Sequence, residues 1–122
     1  MNPLTLFSAL ALLFLAGATA AQETRTTYGD AMRWYQRAAE TGSPGAQFLL
    51  GQLFEAGVGR TQDPAAAAAW YRKAAVQGHR LAQYKLGLMY FAANGVPRDA
   101  AKAAVWYRKA AEQGLAEAQF NL

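Results

Sequence analysis

Trp70-Tyr71-Arg72-Lys73-Ala74-Ala75-Val76-Gln77-Gly78 decides the reading of this chain, because the stretch returns at a constant interval. Trp34-Tyr35-Gln36-Arg37-Ala38-Ala39-Glu40-Thr41-Gly42 stands 36 residues earlier, and Trp106-Tyr107-Arg108-Lys109-Ala110-Ala111-Glu112-Gln113-Gly114 stands 36 residues later. In each copy apolar residues recur at helical spacing, and Gly42, Gly78 or Gly114 supplies the left-handed residue that ends a helix. A repeat of this length is the signature of stacked helix pairs, none of which buries its apolar face alone. The predicted fold is all-α, a right-handed α-solenoid of helix-turn-helix repeats of 36 residues, about two and a half units.

Outward from these stretches the punctuation agrees. Ser43-Pro44 and Asp63-Pro64 each pair an N-cap with proline at the first helical position, where its missing N–H costs nothing. Asp99 caps a third first-helix, and Thr27 with Asp30 serves the earliest one. Gly57-Val58-Gly59 and Asn94-Gly95 stop the second helices, the later of which is expected to run from about Arg80 to Ala93. The loop between Val58 and Asp63 then reads as two residues longer than its successor, offset by a longer second helix in the next unit. The units are placed at 28–62, 63–98 and, incomplete, 99–122.

Small residues stand at matching points, among them Gly51 and Gly87 inside helices. Glycine there costs about 1 kcal/mol relative to alanine, which close approach of neighbouring helix backbones would explain. Trp34, Trp70 and Trp106 are expected to fill the space between units.

The amino-terminal end is different. Leu4 to Ala16 is apolar apart from Thr5 and Ser8, and Ala18-Thr19-Ala20 is a small-x-small site, so 1–21 reads as a secretory signal peptide and 22–27 as a polar linker. No stable membrane span is expected after cleavage, since a spanning helix needs about 20 apolar residues. The chain of 122 residues has no cysteine, so packing alone must hold it. The formal charge of +4 is well short of a nucleic-acid arm and is interleaved with Glu and Asp, so nucleic acid is not expected as a partner.

At these residues the chain resembles the Sel-one-like repeats, relatives of tetratricopeptide repeats. Gly-x-x-x-Ala-Gln-[Phe/Tyr]-x-Leu-Gly occurs at Gly42 to Gly51 and Gly78 to Gly87, with Gly57-Val58 or Gly95-Val96, the capping Asp63 or Asp99, and the Trp-Tyr-x-[Lys/Arg]-Ala-Ala run. The likeness covers about residues 28 to 122. It implies a non-catalytic protein-protein interaction scaffold or adaptor of the bacterial envelope, periplasmic or secreted, with other proteins as partners and no cofactor.

Candidate chemistry is sparse. His79 follows a turn and has no cysteine to complete a metal set, so it reads as a turn residue. Gly57-Val58-Gly59-Arg60-Thr61 follows a helix rather than a strand and lacks the lysine of a phosphate loop. Some cysteine-rich members of the resembled family imply β-lactam hydrolysis, but Ala46 stands where a Ser-x-x-Lys nucleophile at Ser43 would need lysine. The basic ladder is the stronger feature. Arg37, Lys73 and Lys109 share one helical phase, while Gln36, Arg72 and Arg108 share the next. Stacking would align them as rows that take acidic or extended segments of a partner, with polyanion binding as the alternative. Gln47, Gln83 and Gln119 also repeat and are expected to bond near the inter-helix turns.

Overall fold

The computed structural model describes residues 29–121. The expected signal peptide at 1–21, the linker at 22–27 and the Thr27 cap lie outside the described residues. Two compact units divide the chain, one ending at Trp34 and one running Tyr35–Leu122. In the first, residues 29–34 are helical and Arg33 pairs with Asp30. The rest of that helix, α1 (29–40), opens the second unit. It is followed by α2 (Pro44–Ala56), α3 (Pro64–Val76), α4 (Arg80–Ala92), α5 (Ala100–Glu112) and a short α6 (Ala116–Phe120). No strand occurs among the described residues.

Each boundary has a local cause. Ser43, Asp63 and Asp99 accept hydrogen bonds from the backbone N–H groups of Ala46, Ala66 and Lys102, satisfying donors that a helix start leaves orphaned. Inside each hairpin the same closure recurs: Ser43, His79 and Leu115 donate their N–H to Ala38, Ala74 and Ala110. Gly42, Gly78 and Gly114 hold the positive φ that this closure requires. Between hairpins, Asp63 N–H bonds to Phe54 O at 2.9 Å and Asp99 N–H to Tyr90 O at 3.0 Å.

The loops are therefore in strict register, which corrects the expectation of unequal lengths. Helices α2 and α4 both have 13 residues, and α4 ends at Ala92. Ala93, in the left-handed conformation, stands one repeat after Gly57, while Gly95 matches Gly59. Aligning Gly57-Val58 with Gly95-Val96 places the two loops two residues apart.

Successive helices pack in chain order, α2 on α3, α3 on α4, α4 on α5 and α5 on α6, the arrangement of an α-solenoid. The main core joins Ala67, Ala68, Tyr71, Ala74 and Ala75 of α3 to Ala82, Leu86, Met89 and Tyr90 of α4 and to Ala103 and Tyr107 of α5. Alanine at so many facing positions lets the helices approach, and the few large rings fill what remains. Those rings are tyrosines: Tyr71 is fully buried and Tyr107 nearly so, while Trp70 and Trp106 are half-buried at the edges of the clusters and Trp34 is 65% exposed. Gly51 and Gly87 accordingly face rings more than backbone. A Cβ on Gly51 would stand 2.5 Å from the Tyr71 ring, and one on Gly87 2.8 Å from the Tyr107 ring.

Candidate functional site

The first helices present the charged face. Arg37 on α1, Arg72 and Lys73 on α3, and Arg108 and Lys109 on α5 are all exposed. Alternate turns of an amphipathic helix force this outcome, since the neighbouring positions Ala38, Tyr71, Ala74, Tyr107 and Ala110 turn inward.

The cations are not equivalent in their contacts. Lys73 Nζ stands 4.3 Å from the centre of the Trp70 ring, and Lys109 Nζ stands 5.5 Å from that of Trp106. Each lysine lies three residues after its tryptophan, one helical turn away, so the pairing follows from the repeated sequence. The Arg72 guanidinium instead donates a hydrogen bond to the Tyr90 hydroxyl and lies 5.7 Å from that ring's centre. Lys102 reaches the same ring at 5.5 Å. Because Tyr90 is buried, Arg72 ties α3 to α4 besides contributing surface charge. Helical phase groups Arg72 with Arg108; the tertiary contact separates them.

Two shallow clefts open elsewhere. One, of about 190 Å³, is lined by Glu55, Lys85, Leu88, Met89, Ala92 and Asn94, with Lys85 Nζ 3.1 Å from Glu55 Oε1. The Tyr71 hydroxyl is buried with no hydrogen-bond partner within ordinary distance among the described residues. Burial pushes this phenol above its ordinary range, and the nearby Glu55 charge adds to the effect. The second cleft, of about 160 Å³, is lined by Leu88, Phe91, Tyr107 and Asn121. Among the described residues no cluster of His, Asp and Glu could hold a metal ion, and no helix is long and apolar enough to cross a membrane.

His79 has a role beyond its turn. Its Nδ1 accepts the Ala82 N–H at 3.2 Å, so the imidazole caps α4, and its ring stacks on Phe48 with centroids 4.7 Å apart. The signal was positional, since His79 stands one repeat after the cap Ser43. The repeated glutamines are structural too: Gln47, Gln83 and Gln119 donate to Ala39 O, Ala75 O and Ala111 O.

The Sel1 repeat pattern matches residues 28–43, 44–79 and 80–115. A Sel1 repeat protein from Oxalobacter formigenes superposes with a TM-score of 0.76 at 44% identity, over 77% of this chain and 71% of that one. A protective antigen of uropathogenic Escherichia coli with an SLR fold gives 0.71 at 47% identity, over 73% of this chain and 19% of that one. The cysteine rich protein B of Helicobacter pylori gives 0.74 at 25% identity, over 78% of this chain and 71% of that one. No curated protein sequence matches the chain.

Proposed function

This chain belongs to the Sel1 repeat family, and on that premise we propose that it is a non-catalytic interaction scaffold of the bacterial envelope, holding a partner segment against the exposed cations of its first helices. Sel1 repeat proteins are in general protein-interaction modules. The observation that carries the reading here is the repetition of Lys73 over Trp70 as Lys109 over Trp106, with Arg108 exposed beside the second pair. Resting on a ring, each lysine keeps its stem on apolar surface and its charge in water, so an arriving carboxylate meets cations already placed. Each exposed pair contributes only about 0.2 to 1 kcal/mol, and affinity has to come from several acting together.

The test is the triple variant Lys73→Glu, Arg108→Glu, Lys109→Glu, which leaves the Arg72–Tyr90 tether intact. Its helical circular dichroism should match the parent, and it should bind an acetylated peptide with four glutamates at least about tenfold more weakly. Equal affinity would remove the face from the reading. Steeply salt-dependent binding of heparin, with no binding of the peptide, would assign the face to polyanions instead. Labelling by a fluorophosphonate or β-lactam probe would overturn the non-catalytic part.

The envelope placement is supported by the apolar run Leu4 to Ala16 with Ala18-Thr19-Ala20 after it. Protein recovered from the host envelope should begin at Ala21 or Gln22. Intact Met1 in the cytoplasmic fraction would place the protein elsewhere.

A further inference from the structure

We infer that Arg72 and Lys102, held over the Tyr90 ring, form a site for one carboxylate of a partner protein, either an acidic side chain or the free end of a chain; the inference rests on the scaffold reading above for its partner. The three residues come from three successive helices and meet at one ring. From α3 the Arg72 guanidinium lies 5.7 Å from the centre of the Tyr90 ring and donates to its hydroxyl, and from α5 Lys102 Nζ lies 5.5 Å from the same centre. Tyr90 is buried in α4, so its ring fixes the meeting point, while both cations are exposed.

The repeated fold does not ask for this arrangement. One repeat earlier the same three positions hold Gln36, Phe54 and Ala66, which bring no charge together, and α2 packs on α3 there as α4 packs on α5. Two cations gathered on one ring repel each other, and a shared anion removes that repulsion. The chain's own carboxylates do not serve: among the described residues the ion pairs are Arg33 with Asp30 and Lys85 with Glu55. Asp99, whose N–H bonds to Tyr90 O, turns its carboxylate to the Lys102 backbone N–H at 3.0 Å. Arg72 engages Tyr90 through one terminal nitrogen, which holds the guanidinium in place and leaves its other donors for a ligand. An arriving carboxylate therefore meets two cations already positioned by a buried ring, one able to bond it in a planar manner and one acting as a point charge.

The experiment follows the Arg72 Nε–H and Tyr90 ring signals by NMR while the full chain is titrated at low salt with three short polyserine peptides. One is acetylated and amidated with a central glutamate, one is acetylated with a free carboxyl end, and one is acetylated and amidated with no acid. The glutamate peptide, the free-ended peptide or both should shift the two signals, which names the source of the carboxylate, and the third should shift neither. Arg72→Gln with Lys102→Ala restores the residues of the earlier repeat and should weaken binding, read on the Tyr90 ring, by about fivefold or more. Lys73→Gln with Lys109→Gln removes the same charge and should weaken it by less than about twofold. Lys102→Ala alone, an exposed change, should show part of the loss and keeps the test decisive if the double variant is unstable. Equal losses in the two double variants would show a general response to charge and overturn the site, as would shifts caused by inorganic phosphate but by neither acidic peptide. If neither acidic peptide shifts Arg72 while the four-glutamate peptide still depends on Lys73, Arg108 and Lys109, the site falls and the scaffold reading stands. If a single carboxylate shifts Arg72 while the four-glutamate peptide binds the triple variant as tightly as the parent, the site stands and the face of Lys73, Arg108 and Lys109 falls.

Discussion

The Gln113 side-chain amide donates to Gln83 Oε1 at 2.8 Å, and one repeat earlier Gln77 makes the same 2.8 Å bond to Gln47. Gln83 and Gln47 are buried, and each also donates its own amide to the preceding first helix, at Ala75 O and Ala39 O. One side chain thus links a second helix to the first helices before and after it, which holds successive units in register. Replacing Gln83 by leucine removes both bonds from a buried site and should cost about 1 to 3 kcal/mol in urea unfolding. Gln113→Ala should cost less, since it lies on the exposed end of the link. A Gln83→Leu variant as stable as its parent would show that the link adds nothing.

Glycine substitutions should split by sign. A methyl group on Gly51 or Gly87 would press on the Tyr71 or Tyr107 ring at 2.5 or 2.8 Å. Overpacking of this kind costs about 1 to 3 kcal/mol, against about 1 kcal/mol gained in helix propensity. Gly51→Ala, with the closer contact, should lower the melting temperature more. Gly45→Ala meets nothing within 4 Å and should raise it slightly. Stabilisation by all three would mean that the rings move aside freely.

These contrasts mark what was legible in the sequence. Caps such as Ser43 and Asp63 are local chemistry, and the 36-residue interval orders the helices without reference to anything distant. Whether Trp70 or Tyr71 enters the core is not local. The two are adjacent on one helix, and the choice falls to Tyr71 because Gly51 leaves a recess for its ring on the facing helix. The basic rows follow from helical phase alone. That Arg72 bonds Tyr90, and so differs from Arg108, depends on how α4 lies against α3.

Ala93 offers a stabilising change. It closes α4 at φ 55, where Gly57 closes α2 at φ 73. The left-handed conformation costs an alanine about 1 to 2 kcal/mol, and glycine gives back about 0.5 to 1 kcal/mol of that in unfolded-chain entropy. Ala93→Gly should therefore raise stability by about 0.5 to 1 kcal/mol, read as a higher urea midpoint with an unchanged slope. The reverse change, Gly57→Ala, should be harmful, because its Cβ would lie 2.8 Å from Gln62 Cγ and 3.1 Å from the Gln62 backbone N.

Acidification should loosen α4. Burial holds the His79 pKa below its ordinary value, and the Arg80 charge acts in the same direction. The cap also needs an unprotonated Nδ1 to accept the Ala82 N–H. The unfolded chain, titrating near the ordinary value of about 6.5, then binds more protons than the folded one between the two pKa values. Stability contributed by His79 is complete above about pH 6.5 and is lost as the pH falls from there through the folded pKa. The melting temperature should drop over that window. In His79→Ser, which keeps a cap of the kind seen at Ser43, the drop should be smaller. Identical pH profiles for parent and variant would remove His79 as the cause.

Tyr71 should tolerate losing its hydroxyl. The ring is fully buried against Phe48 and over Gly51, so its apolar body is indispensable to the core. The hydroxyl is a different matter, because it is buried with no hydrogen-bond partner within ordinary distance among the described residues, while the nearby Glu55 is engaged by Lys85 at 3.1 Å. An unsatisfied buried polar group carries a desolvation cost of about 1 to 3 kcal/mol, and removing it without changing the shape of the ring recovers part of that cost. Tyr71→Phe should then be neutral or stabilising by up to about 1 kcal/mol, whereas Tyr71→Ala should lose about 3 to 5 kcal/mol through the cavity it leaves. The comparison needs only thermal and urea unfolding of the two variants beside the parent. A Tyr71→Phe variant destabilised by more than about 1 kcal/mol would show that the hydroxyl makes a stabilising bond, with Glu55 as the group to substitute next.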